Sequence, residues 1–177
     1  MRLNAPMNRR SFLLWLPVAL LASFFSWLGL RALRIQSRKP IPGPASYVGG
    51  SEVKVAGLGE LSELWSFRFF EYAGAPAVAL NTPTPVLGGI SGQTNLIAFS
   101  RVCTHQSCHV HLITDPEAGA LLYNYRSETP FLGCPCHFGA YDPLQAGRPV
   151  FGPPQLPLPR IRLELRGEEV WATGKES

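Results

Sequence analysis

No Asp or Glu occurs in the first 39 residues, which instead hold seven Lys and Arg. Residues 40–177 carry nine basic and twelve acidic side chains, so the formal net charge of +4 belongs to the N-terminus and the rest of the chain is acidic by three. That asymmetry excludes a basic nucleic-acid-binding face on the main body. Cysteine is absent outside residues 103–136, where all four stand. A disulfide framework would spread its cysteines along the chain, so one local site is expected. There is no internal repeat, no low-complexity tract and, beyond residue 50, no helix-period segment of useful length.

The acid-free N-terminus has its own pattern. Asn8-Arg9-Arg10-Ser11-Phe12-Leu13 leads into an uncharged apolar run of 19 residues, Phe12 to Leu30. The lead-in resembles a twin-arginine export signal, with Asn8 in place of the usual Ser or Thr and no closing Lys. As a helix the run reaches about 28 Å, close to the ~30 Å of a bilayer's hydrocarbon core. Pro17, near its start, is tolerated in membrane helices. No Ala-x-Ala cleavage site follows, so an uncleaved anchor is expected. Three basic residues precede the run and four follow it closely, so charge bias leaves its orientation open. The twin-arginine signature orients it, with the N-terminus cytoplasmic and the main body on the extracytoplasmic side of the cell membrane. The expected organisation is a cytoplasmic segment 1–11, a single-pass anchor 12–36, a hinge linker 37–50 and a domain 51–177. Three prolines between Lys39 and Gly50 favour extended backbone. Those twelve residues either span up to about 40 Å as a semi-rigid linker or pack on the domain as a strap.

The domain reads as all-β. Trp65, Phe67 and Phe69 alternate with polar residues as in a half-buried strand. Ala77-Val78-Ala79-Leu80 and Leu96-Ile97-Ala98-Phe99 are short apolar strands bounded by Pro, Gly and Asn. Ile161, Leu163 and Leu165 alternate with polar neighbours, and a turn at Arg166-Gly167 leads to a strand around Val170-Trp171. Asp115 to Gly119 reads as a turn, and Leu121 to Tyr125 as an added strand.

The chemistry concentrates in Cys103-Thr104-His105-Gln106-Ser107-Cys108 and Cys134-Pro135-Cys136-His137. Each half supplies a thiolate, an imidazole and a further cysteine. Such a Cys2His2 set suits tetrahedral zinc, or a [2Fe–2S] cluster with two Cys on one iron and two His on the other. His109 and His111, close by, read as ordinary polar residues.

The paired motif resembles the Rieske iron–sulfur proteins of cytochrome bc-type quinol-oxidising complexes. The resemblance extends to the export signal, the anchor, the linker and the proline-rich stretch Gly152 to Pro159. It implies antiparallel sheets with a small cluster-binding subdomain, about residues 100–156, inserted in a base domain. Cys103 and Cys134 would ligate the inner iron of one [2Fe–2S] cluster, and His105 and His137 the outer iron. Neutral imidazoles donate less negative charge than thiolates, so potentials lie above those of all-Cys ferredoxins. An exposed ring N–H can couple the electron to a proton, and the potential then depends on pH where the histidines deprotonate. Cys108 and Cys136 match a disulfide between the two cluster loops, which an oxidising compartment permits. Gly152, Pro153 and Pro154 open the loop that shields the cluster. Tyr141 falls where the family has a tyrosine bonded to a ligand-cysteine sulfur.

Two positions depart from the pattern. Gly139 replaces a serine that donates to a cluster sulfide in many ubiquinol-type members, which predicts a lower potential and suits menaquinol. Gln106 replaces a shielding leucine at the quinol-docking surface. The resemblance implies cytochrome b- and c-type partner subunits within a complex, a membrane setting, and His137 as the quinol contact and proton acceptor. A second reading is the small Rieske subunit of an exported molybdenum oxidase resembling arsenite oxidase, whose Cys-Pro-Cys-His-Phe motif and following Asp match Phe138 and Asp142. A third is a non-redox zinc- or disulfide-stabilised binding module.

Overall fold

The computed structural model describes residues 9–37 and 39–177. Most of the twin-arginine segment, residues 1–8, lies outside them. The apolar run forms one helix, α1 (Arg9–Ser37), continuous through Pro17, and its Leu13–Leu33 stretch is long and apolar enough to cross a membrane. The helix and the Lys39–Ser177 head are separate units.

In the head, β1 (Tyr47–Gly57), β2 (Phe67–Tyr72), β3 (Ala75–Asn81), β4 (Leu96–Ser100), β9 (Arg160–Arg166) and β10 (Glu169–Glu176) form a six-stranded antiparallel sheet in the order β1-β10-β9-β4-β3-β2. The turn expected at Arg166-Gly167 joins β9 to β10, with Gly167 at a φ of 61°. β3 and β4 are apolar at nearly every position because both of their faces are covered. Ala77, Ala79, Leu96 and Ala98 face one core with Leu61, Tyr72, Ile161 and Val170. Val78, Leu80, Ile97 and Phe99 face a second core with Cys103, Val110, Leu132 and Tyr141. Fully burying side chains of this size contributes about 1.5–3 kcal/mol each, so this shared wall fixes the site-bearing part to the base.

That part is inserted between β4 and β9, which pair directly through Ala98↔Ile161 and Phe99↔Arg160. It is a second sheet, β5 (His111–Ile113), β6 (Phe131–Cys134), β7 (Gly139–Asp142) and β8 (Arg148–Phe151), in sequential order.

Two expectations are corrected. Residues expected as a turn and a strand form a helix, α2 (Pro116–Tyr123). Asp115 caps it by accepting from the Glu117 N–H at 2.9 Å, Pro116 occupies its first turn, and Asn124 closes it in left-handed conformation. Tyr123 packs edge-on against Phe131 of β6, so the two-turn helix is held by tertiary contact as well as by its caps. In β2 the alternation is real but its phase is reversed. Phe67 and Phe69 are 44% and 45% exposed, with Arg101 stacked over Phe69, while Phe70 and Tyr72 turn to the core. Both faces of this strand are aromatic, so hydrophobicity alone did not choose between them.

Part of the stretch expected as a hinge linker is bonded to the head. The Lys39 carbonyl accepts from Arg148, the Gly43 carbonyl accepts from Arg160 at 2.7 Å, and the Ser46 carbonyl accepts from the Ser177 N–H at 3.1 Å. From Tyr47 onward the chain pairs with β10.

Candidate metal centre

Two loops meet at one end of the inserted sheet. The first, 103–108, is a tight turn in which the Cys103 N–H donates to the Cys108 carbonyl at 2.8 Å and the Ser107 N–H to the Cys103 carbonyl at 2.9 Å. The second is the β6–β7 hairpin, closed by the Cys134↔Gly139 pair. Ser107 and Phe138 hold the turns with φ of 58° and 55°, where a non-glycine residue is uncommon. A disulfide between Cys108 and Cys136 ties the loops together, with the Cα atoms 6.6 Å apart.

Cys103 and Cys134 are the two remaining thiols, each 2% exposed. The sulfurs of Cys108, Cys134 and Cys136 also lie within 4.8 Å of one another, but the first and last are bonded together and have no thiolate to offer. His105 and His137 stand on the exposed side, their rings edge to face with centroids 4.8 Å apart. Thus both thiols sit inward and both imidazoles outward across adjacent loops. Burial, and next the neighbouring Cys103 thiol, push the Cys134 thiol's pKa up. A cation held by both sulfurs would relieve that penalty, because metal binding draws the thiolate form. The donor set and its inside-out order therefore fit a cluster with one Cys-held and one His-held iron. His109 and His111 are exposed on the far strand and its approach.

Tyr141 is fully buried and its hydroxyl lies 3.1 Å from Cys103 Sγ. It also accepts from the Thr104 N–H at 3.1 Å and lies 3.0 Å from Thr104 Oγ1. Thr104 Oγ1 donates to the Leu156 carbonyl at 2.7 Å, so its proton is committed there. The Tyr141 proton can go to Thr104 or to sulfur, and an ionised Cys103 would make the sulfur bond charge-assisted. Burial first, then Cys103, push the Tyr141 hydroxyl's pKa well up, so it remains a donor. Thr104, joining loop, tyrosine and proline-rich stretch, escaped the sequence reading, although its place between Cys103 and His105 could have marked it. Replacing Tyr141 by Phe removes the O–H and keeps the packing. The expected result is a midpoint potential lower by roughly 40–60 mV, from about 1 kcal/mol of lost stabilisation of the reduced state, measured by redox titration.

Gly139 has a steric reason as well as a chemical one. A Cβ there would lie 2.7 Å from Pro154 Cγ and 3.6 Å from Cys134 Cβ. A serine would have to displace the proline-rich loop before it could donate anything. Gly152, at a φ of 75°, is equally confined, because its Cβ would lie 2.7 Å from the Phe138 carbonyl oxygen. Pro154 is buried while Pro153 and Leu156 are exposed, and Gln106 is exposed beside His105. Phe138, beside His137, is 52% exposed.

A family model described as the Rieske [2Fe-2S] domain matches residues 54–162. The iodate reductase subunit IdrB of Denitromonas iodatirespirans is 27% identical over 173 residues, 97% of this chain and 82% of that protein. The cytochrome bc1 complex Rieske iron-sulfur subunit of Corynebacterium diphtheriae is 34% identical over 71 residues, but these are 40% of this chain and only 14% of that subunit. Among solved structures, the soluble domain of Rieske protein II (soxF) from Sulfolobus acidocaldarius superposes with a TM-score of 0.58 at 22% identity, covering 71% of this chain and 78% of that one. This last likeness concerns the fold.

Proposed function

Since the chain belongs to the Rieske [2Fe-2S] family and binds one such cluster, we propose that it is the membrane-anchored electron-transfer subunit of a respiratory complex. It takes electrons from quinol, with menaquinol the better match to Gly139, and passes them to a c-type cytochrome or similar carrier. Cys103 and Cys134 hold the inner iron, and His105 and His137 the outer. When bound, the cluster takes up and releases one electron at a time. α1 crosses the cell membrane with its N-terminus cytoplasmic, which puts the head on the extracytoplasmic side and the disulfide in an oxidising compartment. The zinc module has no place in this reading.

The observation that carries the proposal is the inside-out order of the site. The thiols are 2% exposed and the imidazoles meet at the surface, so the histidine edge is the open approach for a partner. His137, through the ring nitrogen left free by the iron and in its deprotonated form, would accept a hydrogen bond from the quinol hydroxyl and take up its proton. Phe138 and Leu156 border that edge with apolar surface. Quinol gives up two electrons, so a cytochrome b-type subunit must take the second.

The near-full-length likeness to the iodate reductase subunit favours a second reading, a small Rieske subunit serving a larger exported oxidoreductase of the arsenite-oxidase kind. Purification of the intact complex separates the two. A b-type cytochrome with quinol-dependent turnover, lost in a His137 variant that retains iron, supports the first. A large molybdopterin subunit without quinol activity supports the second and overturns the first.

A further inference from the structure

Lys39, in the stretch expected as a hinge linker, is fixed on the head. Lys39 is only 4% exposed. Its Nζ donates to the Gly152 carbonyl at 2.9 Å, and its own carbonyl accepts from Arg148 at 3.4 Å. Arg148 also donates to Gln145 Oε1 at 3.0 Å, and its buried Nε has no partner. Among the described residues neither cation has a carboxylate within 4.0 Å. Burial, and next the charge of Arg148, push the Lys39 ammonium's pKa down, so the pair is held together against its own repulsion. Withdrawing an ammonium from water without a counter-ion costs several kcal/mol, so a buried Lys39 persists where something else compensates.

The far side of Gly152 leads to the candidate cluster site. Gly152 abuts Gly139, since its Cβ would lie 2.9 Å from Gly139 Cα, and a Gly139 Cβ would lie 3.6 Å from Cys134 Cβ. The Lys39 ammonium thus stands behind the backbone layer that covers a cluster-holding cysteine, while Arg148, opposite Asp142 in the β7–β8 pairing, is held against the Lys39 carbonyl. An electron arriving at the cluster adds one negative charge in surroundings of low dielectric, where a fixed cation acts strongly. We propose that Lys39 and Arg148 are electrostatic tuning residues whose field stabilises the reduced cluster and raises its potential. The inference rests on the assignment of Cys103, Cys134, His105 and His137 as ligands.

The test is a redox titration of the full chain in detergent, followed by electron paramagnetic resonance. Lys39→Met keeps the aliphatic stem and removes the charge. The expected result is a severalfold weaker electron affinity, read as a downward shift of midpoint potential, with the wild-type line shape. Lys39→Arg should hold the wild-type potential, and Arg148→Gln should shift it downward as Lys39→Met does. Unchanged potentials in both Lys39→Met and Arg148→Gln overturn the proposal. So does a Lys39→Arg potential that falls with that of Lys39→Met, which would assign the effect to packing. If Lys39→Met does not accumulate, Arg148→Gln decides alone. A wild-type protein without the Rieske spectrum would overturn the ligand assignment itself, an outcome distinct from unshifted potentials.

Discussion

Replacing Arg160 by Met is expected to destabilise the head by about 3–5 kcal/mol, the cost of breaking a buried ion pair from one side. Arg160 is 1% exposed. Its guanidinium donates to both carboxylate oxygens of Glu176, to the Leu87 carbonyl and to the Gly43 carbonyl at 2.7–3.0 Å. Methionine fills much of the volume but leaves one carboxylate and two carbonyls without these donors. Since β9 begins at Arg160, where the chain returns from the inserted sheet, the loss reaches strap, base and C-terminus together. Denaturant unfolding should show a lower midpoint with a similar slope.

The same pair gives a pH dependence of definite sign. Burial alone would raise the Glu176 pKa, but the hydrogen bonds and charge of Arg160 bring it below the ordinary carboxylate range. A depressed folded-state pKa stabilises the fold above the unfolded-state value and loses that contribution as pH falls through the folded one. Wild-type stability should therefore fall on acidification below the usual glutamate range, and Arg160→Met should flatten that fall.

Removing the disulfide is the second large effect. The Cys108–Cys136 bond closes a separation of 28 residues, for which chain entropy gives about 3–4 kcal/mol. The variant should be the double Cys108→Ser, Cys136→Ser. A single replacement leaves a third thiol within 4.8 Å of Cys134, able to compete as a ligand. The expected result is a domain that melts earlier and loses iron and visible absorbance before its β-sheet signal. Coincident loss of absorbance and sheet signal at the wild-type temperature would show that the loops hold without their tie.

What could be read from the sequence follows from the range of each interaction. The two motifs that meet at the candidate site were legible because metal chemistry restricts the residue types and each motif packs its candidate ligands within a few positions. The proline-rich stretch and Tyr141 came from the resemblance, and the 3.1 Å contact with Cys103 gives the tyrosine a physical role. β3, β4 and the β9–β10 hairpin were legible from composition and turn chemistry.

The misses share a different cause. Asp115-Pro116 starts a turn and a helix equally well, and tertiary packing of Tyr123 on Phe131 supports the helix. The phase of β2 depended on which of two aromatic faces met the core. Nothing in the sequence marked Arg160 or Lys39 as buried, because their partners lie up to 117 residues away. Gly139 read as a missing donor, whereas its confinement by Pro154 emerges only when the two loops are packed together.

The most direct test of the central claim is low-temperature electron paramagnetic resonance of the dithionite-reduced, iron-loaded full chain, with iron and sulfide determined on the same sample. The account predicts two irons and two sulfides per chain and a rhombic signal with the low average g-value of a His-ligated [2Fe–2S] cluster. A sample that holds iron yet gives no such signal, or binds stoichiometric zinc in its place, would contradict it.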